Sequence, residues 1–438
     1  MKNSIKFGLV VLATLFMTSV FAQSKSGTQE FTVEGLKVIL KSSPKEVVNA
    51  RLFVKGGTAN YDLKYQGIES FAFTLAARGG TKSKEKVAFA TALESVGASV
   101  YSNSDFDYGD FNLTCLKQYW DESWSLFTDA ILNPAFTEKE YDLLKEQLIA
   151  GAKSRNSDAD SRLRDLAMSN VFEGHCYEKI PSGTVESLEG ISLEKIKKYY
   201  KNTVGKKRSF LVVVGNITKE DLEAKVKASL AKLPEGTKAE VCETRPINKS
   251  GVKVENRDIA TNYLRGYMDA PKMSHPDGVA MMMAMDILRN RYFVELRTKR
   301  SLSYAPSAFY ARGVINNPYN VIYISTTDPK QAMDVMVAEI NKLKKEGFDK
   351  QELINKQQSF LTNYFMGLET MASQTSSLGM AELNGDWRMA EDFTERVNNV
   401  TLEDLNRVID QYTNSIIWTY LGKEEDVKME DFAQPINP

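Results

Sequence analysis

Ser192-Leu193-Glu194-Lys195-Ile196 opens a helix on a serine cap, and the chain then runs into Ser209-Phe210-Leu211-Val212-Val213-Val214-Gly215, an apolar run that stops at glycine. The same construction returns 209 positions later. Thr401-Leu402-Glu403-Asp404-Leu405 opens a helix on a threonine cap, and Ile416-Ile417-Trp418-Thr419-Tyr420-Leu421-Gly422 follows. Each reads as a capped amphipathic helix feeding a buried strand. A second pair keeps nearly the same distance: Phe136-Thr137-Glu138-Lys139-Glu140 and Phe348-Asp349-Lys350-Gln351-Glu352 lie 212 apart. Capped helices resemble one another by chance, so neither pair is decisive alone. Their common offset argues for an internal duplication.

Working outward, β-type runs fall at Phe31–Val33, Lys37–Leu40 and Val47–Lys55, then around Ser99–Tyr101 and Asp110–Leu116. Apolar positions at helical period mark helices at about 65–77 and 84–96, and from Trp120 to about Phe172. The order repeats with strands near 251–256 and 261–269, a helix from Pro276, strands near 304–311 and 319–326, and helices again. Blocks of strands separated by helix pairs predict an α+β fold. We expect two duplicated domains, each an antiparallel-rich mixed sheet with helices packed on it. Leu233–Ser250 carries Pro, Gly and polar residues without periodicity. The expected division is residues 23–235 and 251–438, with 236–250 as linker.

Residues 1–22 read as a secretory leader. Lys2 and Lys6 precede an apolar run from Phe7 to Phe21, and Val20-Phe21-Ala22 gives a small-residue exit. The run is shorter than the roughly 20 apolar residues of a spanning helix. No later segment reads as a span. The reading is an exported protein, periplasmic in a double-membraned bacterium. The 438-residue chain has a formal charge of −1 with both signs mixed, which offers nothing to nucleic acid. Cys115, Cys176 and Cys242 form no C-x-x-C pattern. They allow one disulfide and a free thiol, or three buried apolar positions. His175 and His275 are the two histidines, too far apart for the local ligand spacing of a zinc site. His175-Cys176 lacks the geometry and third group of a thiol–base pair. His275-Pro276-Asp277 reads as a helix start, and Met281-Met282-Met283 with Met285 reads as a core helix.

Gly67-Ile68-Glu69-Ser70-Phe71-Ala72-Phe73-Thr74-Leu75, followed by Gly79-Gly80-Thr81, has the frame of an inverted zincin helix. In that motif, H-x-x-E-H, two histidines bind zinc and a glutamate acts as base. Ser70, Phe73 and Thr74 stand at those positions. Serine and threonine hydroxyls are poor zinc ligands and phenylalanine is no base. The present role of the segment is a helix that packs Phe71 and Phe73.

Further segments carry a resemblance over essentially the whole mature chain: Leu93–Ala98, Ile131–Phe136, Pro181–Leu188 and Leu296–Tyr304. Their order and spacing, with Gly67–Thr81, resemble the pitrilysin-type zinc metallopeptidases of the insulinase and mitochondrial processing peptidase kind, in the half-size branch. The resemblance implies two related α+β domains and a clamshell made with a second chain. It implies a third metal ligand near Gly151, where no glutamate stands, so all four metal-site roles are vacant. It also implies an Arg/Tyr pair, and Arg297 and Tyr304 are present at the family's spacing. A guanidinium fork and a phenol hydroxyl suit a peptide carbonyl and its developing oxyanion. Lys299 and Arg300 beside them read as solvated helix-end charges.

The expected function is a non-catalytic subunit of an exported heteromeric zinc peptidase. This chain would hold no cofactor, and zinc would sit in a homologous partner with intact H-x-x-E-H. Peptide would add as a strand to a sheet edge, with Arg297 and Tyr304 presented to it. The alternative is a homodimeric structural or peptide-binding protein that cuts nothing.

Overall fold

A computed structural model describes residues 27–436. The leader read at residues 1–22 lies outside the described residues. The first half contributes β1 (Thr28–Val33), β2 (Leu36–Ser42), β3 (Val47–Lys55), α1 (Ile68–Arg78), α2 (Lys86–Ser95), β4 (Ser99–Ser104) and β5 (Tyr108–Leu116). It continues through α3 (Trp120–Leu132), α4 (Glu138–Ser157), α5 (Ala159–Val171), α6 (Val185–Gly190), α7 (Leu193–Thr203), β6 (Ser209–Gly215) and α8 (Lys219–Ala228). The second half contributes β7 (Gly251–Asn256), β8 (Asn262–Asp269), α9 (Asp277–Tyr292), β9 (Ser307–Tyr310) and β10 (Tyr319–Thr326). Then follow α10 (Pro329–Glu346), α11 (Lys350–Gly367), α12 (Met371–Leu383), α13 (Phe393–Asn398), α14 (Leu402–Tyr412) and β11 (Ile417–Gly422).

The duplication holds at the level of topology. The first sheet runs β1-β2-β6-β3-β5-β4 and the second β7-β11-β8-β10-β9. In each, the strand that follows the capped helix inserts between two earlier ones. β6 lies parallel to β2 and antiparallel to β3, and β11 lies parallel to β7 and antiparallel to β8. The caps form as read: Ser192 accepts from the Lys195 amide, and Thr401 closes a capping box with Asp404. The architecture is α+β with two antiparallel-rich mixed sheets.

The unbroken apolar run of β6 has a specific cause. A strand with one wet face alternates, whereas one covered on both faces is apolar throughout. Leu211 and Val213 face the first half's own core. Phe210, Val212 and Val214 face Met371, Leu378 and Trp387, which belong to the second half. The exchange is reciprocal. α12 packs on β3 and β6, while α5 of the first half packs on β8 and β11 of the second sheet. There Ala167, Met168 and Val171 meet Tyr267 and Val321. Each sheet thus borrows a helix from the other half.

Residues 233–250 carry no strand, and only Leu233 touches the end of a helical turn. The segment is nevertheless held along its length. Arg208 Nε donates to the Thr237 carbonyl at 3.0 Å. A disulfide joins Cys176 to Cys242, which resolves the alternatives left by the three cysteines, and Cys115 is free and buried. His175 bonds the Glu243 carbonyl at 2.7 Å, and Thr244 Oγ1 donates to the Asn316 carbonyl at 2.9 Å. Nearby, the buried Asp107 carboxylate accepts from Tyr177 Oη (2.6 Å), from the Ile315 amide (2.7 Å) and from Asn316 Nδ2 (2.6 Å). One carboxylate of the first half therefore fastens a loop of the second.

Two strand expectations need correction. The strand expected near 304–311 spans only Ser307–Tyr310, because the chain bonds back through the Ser301 and Leu302 amides and residues 303–306 are irregular. The strand at Ser99 continues to Ser104 along its β5 neighbour. Among the described residues, no helix is long and apolar enough to cross a membrane.

Candidate functional site

α1 begins at Gly67, whose φ of 90° lies in the left-handed region; a Cβ there would approach the Gly183 Cα to 2.6 Å. Glycine is required on both counts. From that start the helix drives its apolar side inward. Phe71 stacks on Tyr141 with ring centroids 5.4 Å apart. Phe73 lies 4.8 Å from the Phe111 ring and edge-on to Tyr200 at 6.1 Å. The strand opposite makes room with Gly109, where a Cβ would fall 2.5 Å from the Phe73 ring. Phe73 is fully buried, whereas Ser70 and Thr74 are half-buried on the neighbouring stripe of the helix. Gly151 sits exposed on α4 with no atom within 4 Å of where its Cβ would be. A helix is present as expected, and the position expected for the base is held by a packed aromatic ring. The donor set of two hydroxyls and no carboxylate does not fit zinc. No step through a metal follows from this chain's own residues.

The residue that sequence reasoning missed is Glu69. It occupies the first turn of α1 with no exposure at all. Its Oε2 accepts from Tyr199 Oη of α7 at 2.5 Å, and its Oε1 from Ser104 Oγ of β4 at 3.0 Å. Among the described residues no cation hydrogen-bonds it. Arg208 is one residue removed, donating to Asn60 Oδ1 at 2.7 Å, while Asn60 Nδ2 lies 3.4 Å from Glu69. Burial pushes the Glu69 carboxyl up to about 7, against the opposing pull of its three donors. An acid in the first turn of a helix normally reads as a surface charge that complements the helix dipole, so nothing in the sequence marked it.

β4, packed closely on α1, is one of the two outer strands of the first sheet, β1 being the other. One edge of its backbone is therefore without a strand neighbour among the described residues.

Arg297 and Tyr304 are brought together. α9 runs into a π-helical turn, Phe293–Thr298, and Ser301 then adopts a left-handed φ of 53°. The reversal is closed by the Ser301 amide on the Arg297 carbonyl at 3.0 Å and the Leu302 amide on the Leu296 carbonyl at 2.8 Å. The chain folds back so that the Arg297 guanidinium lies 4.3 Å from the Tyr304 ring centroid and 4.7 Å from that of Phe293. Tyr304 is 80% exposed, unusual for a large aromatic that could pack elsewhere. Lys299 and Arg300 both pair with Glu295 at 2.6 Å. Arg297 has no carboxylate partner among the described residues. No hydrogen bond, ion pair or ring contact among the described residues joins this pair to Ser70, Phe73 or Thr74. His175 and Cys176 form no nucleophile: the sulfur is in the disulfide, and His175 Nδ1 accepts from the Tyr177 amide.

Comparison with known proteins agrees with this architecture. Residues 37–183 match the model described as insulinase (peptidase family M16), and residues 190–360 match the peptidase M16 inactive domain. The chain is 22% identical over 376 residues to the non-peptidase homolog YmxG of Helicobacter pylori, covering 83% of this chain and 85% of the relative. It is 23% identical over 443 residues to the zinc protease PqqE of the same organism, covering 94% and 96%. The crystal structure of a peptidase M16 inactive domain from Pseudomonas fluorescens superposes with a TM-score of 0.84 at 18% identity, covering 90% of this chain and 98% of that one.

Proposed function

We propose, from the premise that this chain belongs to the insulinase family (peptidase M16) without that family's metal motif, that it is the non-catalytic subunit of an exported heteromeric zinc peptidase. The observation that carries the proposal is a contrast within the chain. Phe73 fills the place of the base as a core side chain, while Arg297 and Tyr304 are held together at the surface with no carboxylate on the guanidinium. A structural remnant needs neither an unpaired arginine nor an exposed tyrosine. A chain that meets substrate across a chamber has a use for both. The similarity to one relative named a non-peptidase homolog and another named a zinc protease supports a division of labour between two such chains.

In this reading zinc belongs to a homologous partner with intact H-x-x-E-H and supplies the hydrolytic chemistry there. This chain's contribution is positional. Peptide pairs with a sheet edge, for which β4 is suited, and backbone hydrogen bonds fix its register. Arg297 and Tyr304 donate to a substrate carbonyl and to the negative charge that grows on it. The leader at residues 1–22 directs the assembly out of the cytoplasm, to the periplasm in a double-membraned bacterium.

The test is purification of the tagged chain from its native extract, with identification of what accompanies it and assay of zinc and peptide hydrolysis in the same sample. A stoichiometric H-x-x-E-H partner that brings both is the expected result. A homodimer without zinc or hydrolysis establishes the structural or peptide-binding alternative instead. In the assembled pair, Arg297→Ala should raise the barrier by about 2–4 kcal/mol. Full activity after Arg297→Ala and Tyr304→Phe together rules out a role in transition-state stabilisation.

A further inference from the structure

A cavity of about 630 Å³ opens between the two halves and shares no lining residue with α1 or with the Arg297–Tyr304 pair. Its walls come from α9, α11, α12 and α13, with Tyr108 of the first sheet and the loop after β9. The volume is that of a small-ligand pocket.

Its charge is unbalanced. Arg289, Arg312 and Arg396 line it, against the single carboxylate of Asp286. That carboxylate is already engaged, by Lys356 Nζ at 2.6 Å and by Arg289. Arg396 donates to the carbonyls of Met273 (2.7 Å) and His275 (3.3 Å). Arg312 has neither a hydrogen bond nor a direct ion pair among the described residues, although the field of Asp286 reaches it. Its guanidinium rests 5.5 Å from the Phe360 ring centroid. The loop that carries it is fixed at both ends, by the Ala311 amide on the Tyr319 carbonyl (3.0 Å) and by the Ile315 amide on Asp107 (2.7 Å). An unpaired guanidinium on an anchored loop, beside the apolar wall of Phe360, Phe393 and Met380, is a place for an anion joined to an apolar group.

We propose that this cavity binds a carboxylate borne next to an apolar side chain, the chemistry of a free peptide C-terminus or of an N-acylated apolar amino acid, with Arg312 as the residue that takes the charge. The site lies apart from the Arg297–Tyr304 pair and stands whether or not a zinc-bearing partner exists.

The test uses the full chain and isothermal titration calorimetry. The probes are N-acetylphenylalanine and an octapeptide ending in phenylalanine, each as free acid and as amide. At least one free acid should bind about tenfold more tightly than its amide, as loss of a charge-assisted bond requires. Arg312→Ala should remove that preference, with the thermal midpoint followed alongside to show that the variant is folded. Equal binding of both acids identifies the small molecule as a sufficient ligand. Binding of the octapeptide acid alone identifies a peptide terminus. No binding of either acid at millimolar concentration overturns the proposal. So does equal affinity for acid and amide, or unchanged acid affinity in Arg312→Ala.

Discussion

The two halves open their first long helix in the same way and resolve the same problem differently. Each places an acid in the first turn, Glu69 in α1 and Asp277 in α9, and each turns that acid toward the capped helix of its own half. In the second half the partner is a cation. Arg407 of α14 reaches Asp277 at 2.6 Å, with Tyr412 Oη at 3.3 Å, and Arg407 stays 44% exposed. In the first half the partner is a phenol. Tyr199 of α7 meets Glu69 at 2.5 Å in a fully buried setting. Asp277 is itself buried, at 5% exposure, but it lies against a guanidinium that reaches the surface. A buried carboxyl with only neutral donors is driven toward its protonated form. Duplication kept the frame with a buried acid in each half, and the partner, a cation on Asp277 and neutral donors on Glu69, sets the two apart.

The largest expected effect tests whether α1 is now a packing element like α9. Phe73 lies four residues after Glu69 as Met281 lies four after Asp277, and both are fully buried. Phe73→Ala should cost about 3–5 kcal/mol and Met281→Ala about 2–5 kcal/mol in chemical denaturation. A loss under 1 kcal/mol at Phe73 alone would mean that α1 is a tolerated remnant, and the likeness between the halves would fail.

Next comes pH. Glu69 rises from an ordinary 4.5 to about 7 on folding, so the native state holds the proton more tightly than the unfolded chain. Its contribution is therefore complete below pH 4.5, falls as pH rises, and is lost above pH 7, a swing of about 3 kcal/mol. Glu69→Gln should flatten the stability profile in that window relative to the parent chain. Parallel profiles for the two proteins would show that Glu69 is ionised throughout. The smallest effect is expected at the half-exposed cation of the second half. Arg407→Ala should cost about 1 kcal/mol, lessened by added salt, because its side chain is screened by solvent.

Local signals carried much of the fold. The caps at Ser192 and Thr401, the glycine stops after each apolar run, and the strands at Val47–Lys55, Gly251–Asn256 and Tyr319–Thr326 are written in a few adjacent residues each. The packing helix at α1 was legible for the same reason, since Phe71 and Phe73 lie within one short apolar stretch. What stayed hidden is non-local. Nothing near Glu69 announces that Tyr199 and Ser104 will close over it. The pairing of Cys176 with Cys242 depends on the path of the connecting segment. The left-handed turn at Ser301, which folds Tyr304 back over Arg297, has no glycine to signal it. The exchange of α5 and α12 between sheets joins residues some 90 or more positions apart, beyond the reach of any periodicity.

That exchange also sets a clock on biosynthesis. β6 is complete at Gly215, but the helix that covers its outer face begins at Met371. At about 5–20 residues per second, the ribosome needs roughly 8–30 s to deliver it. Throughout that interval Phe210, Val212 and Val214 form a finished sheet surface with no cover, sticky toward any neighbouring nascent chain. A chain built this way must either delay assembly of its first sheet or be shielded by a holding factor until its last third has emerged.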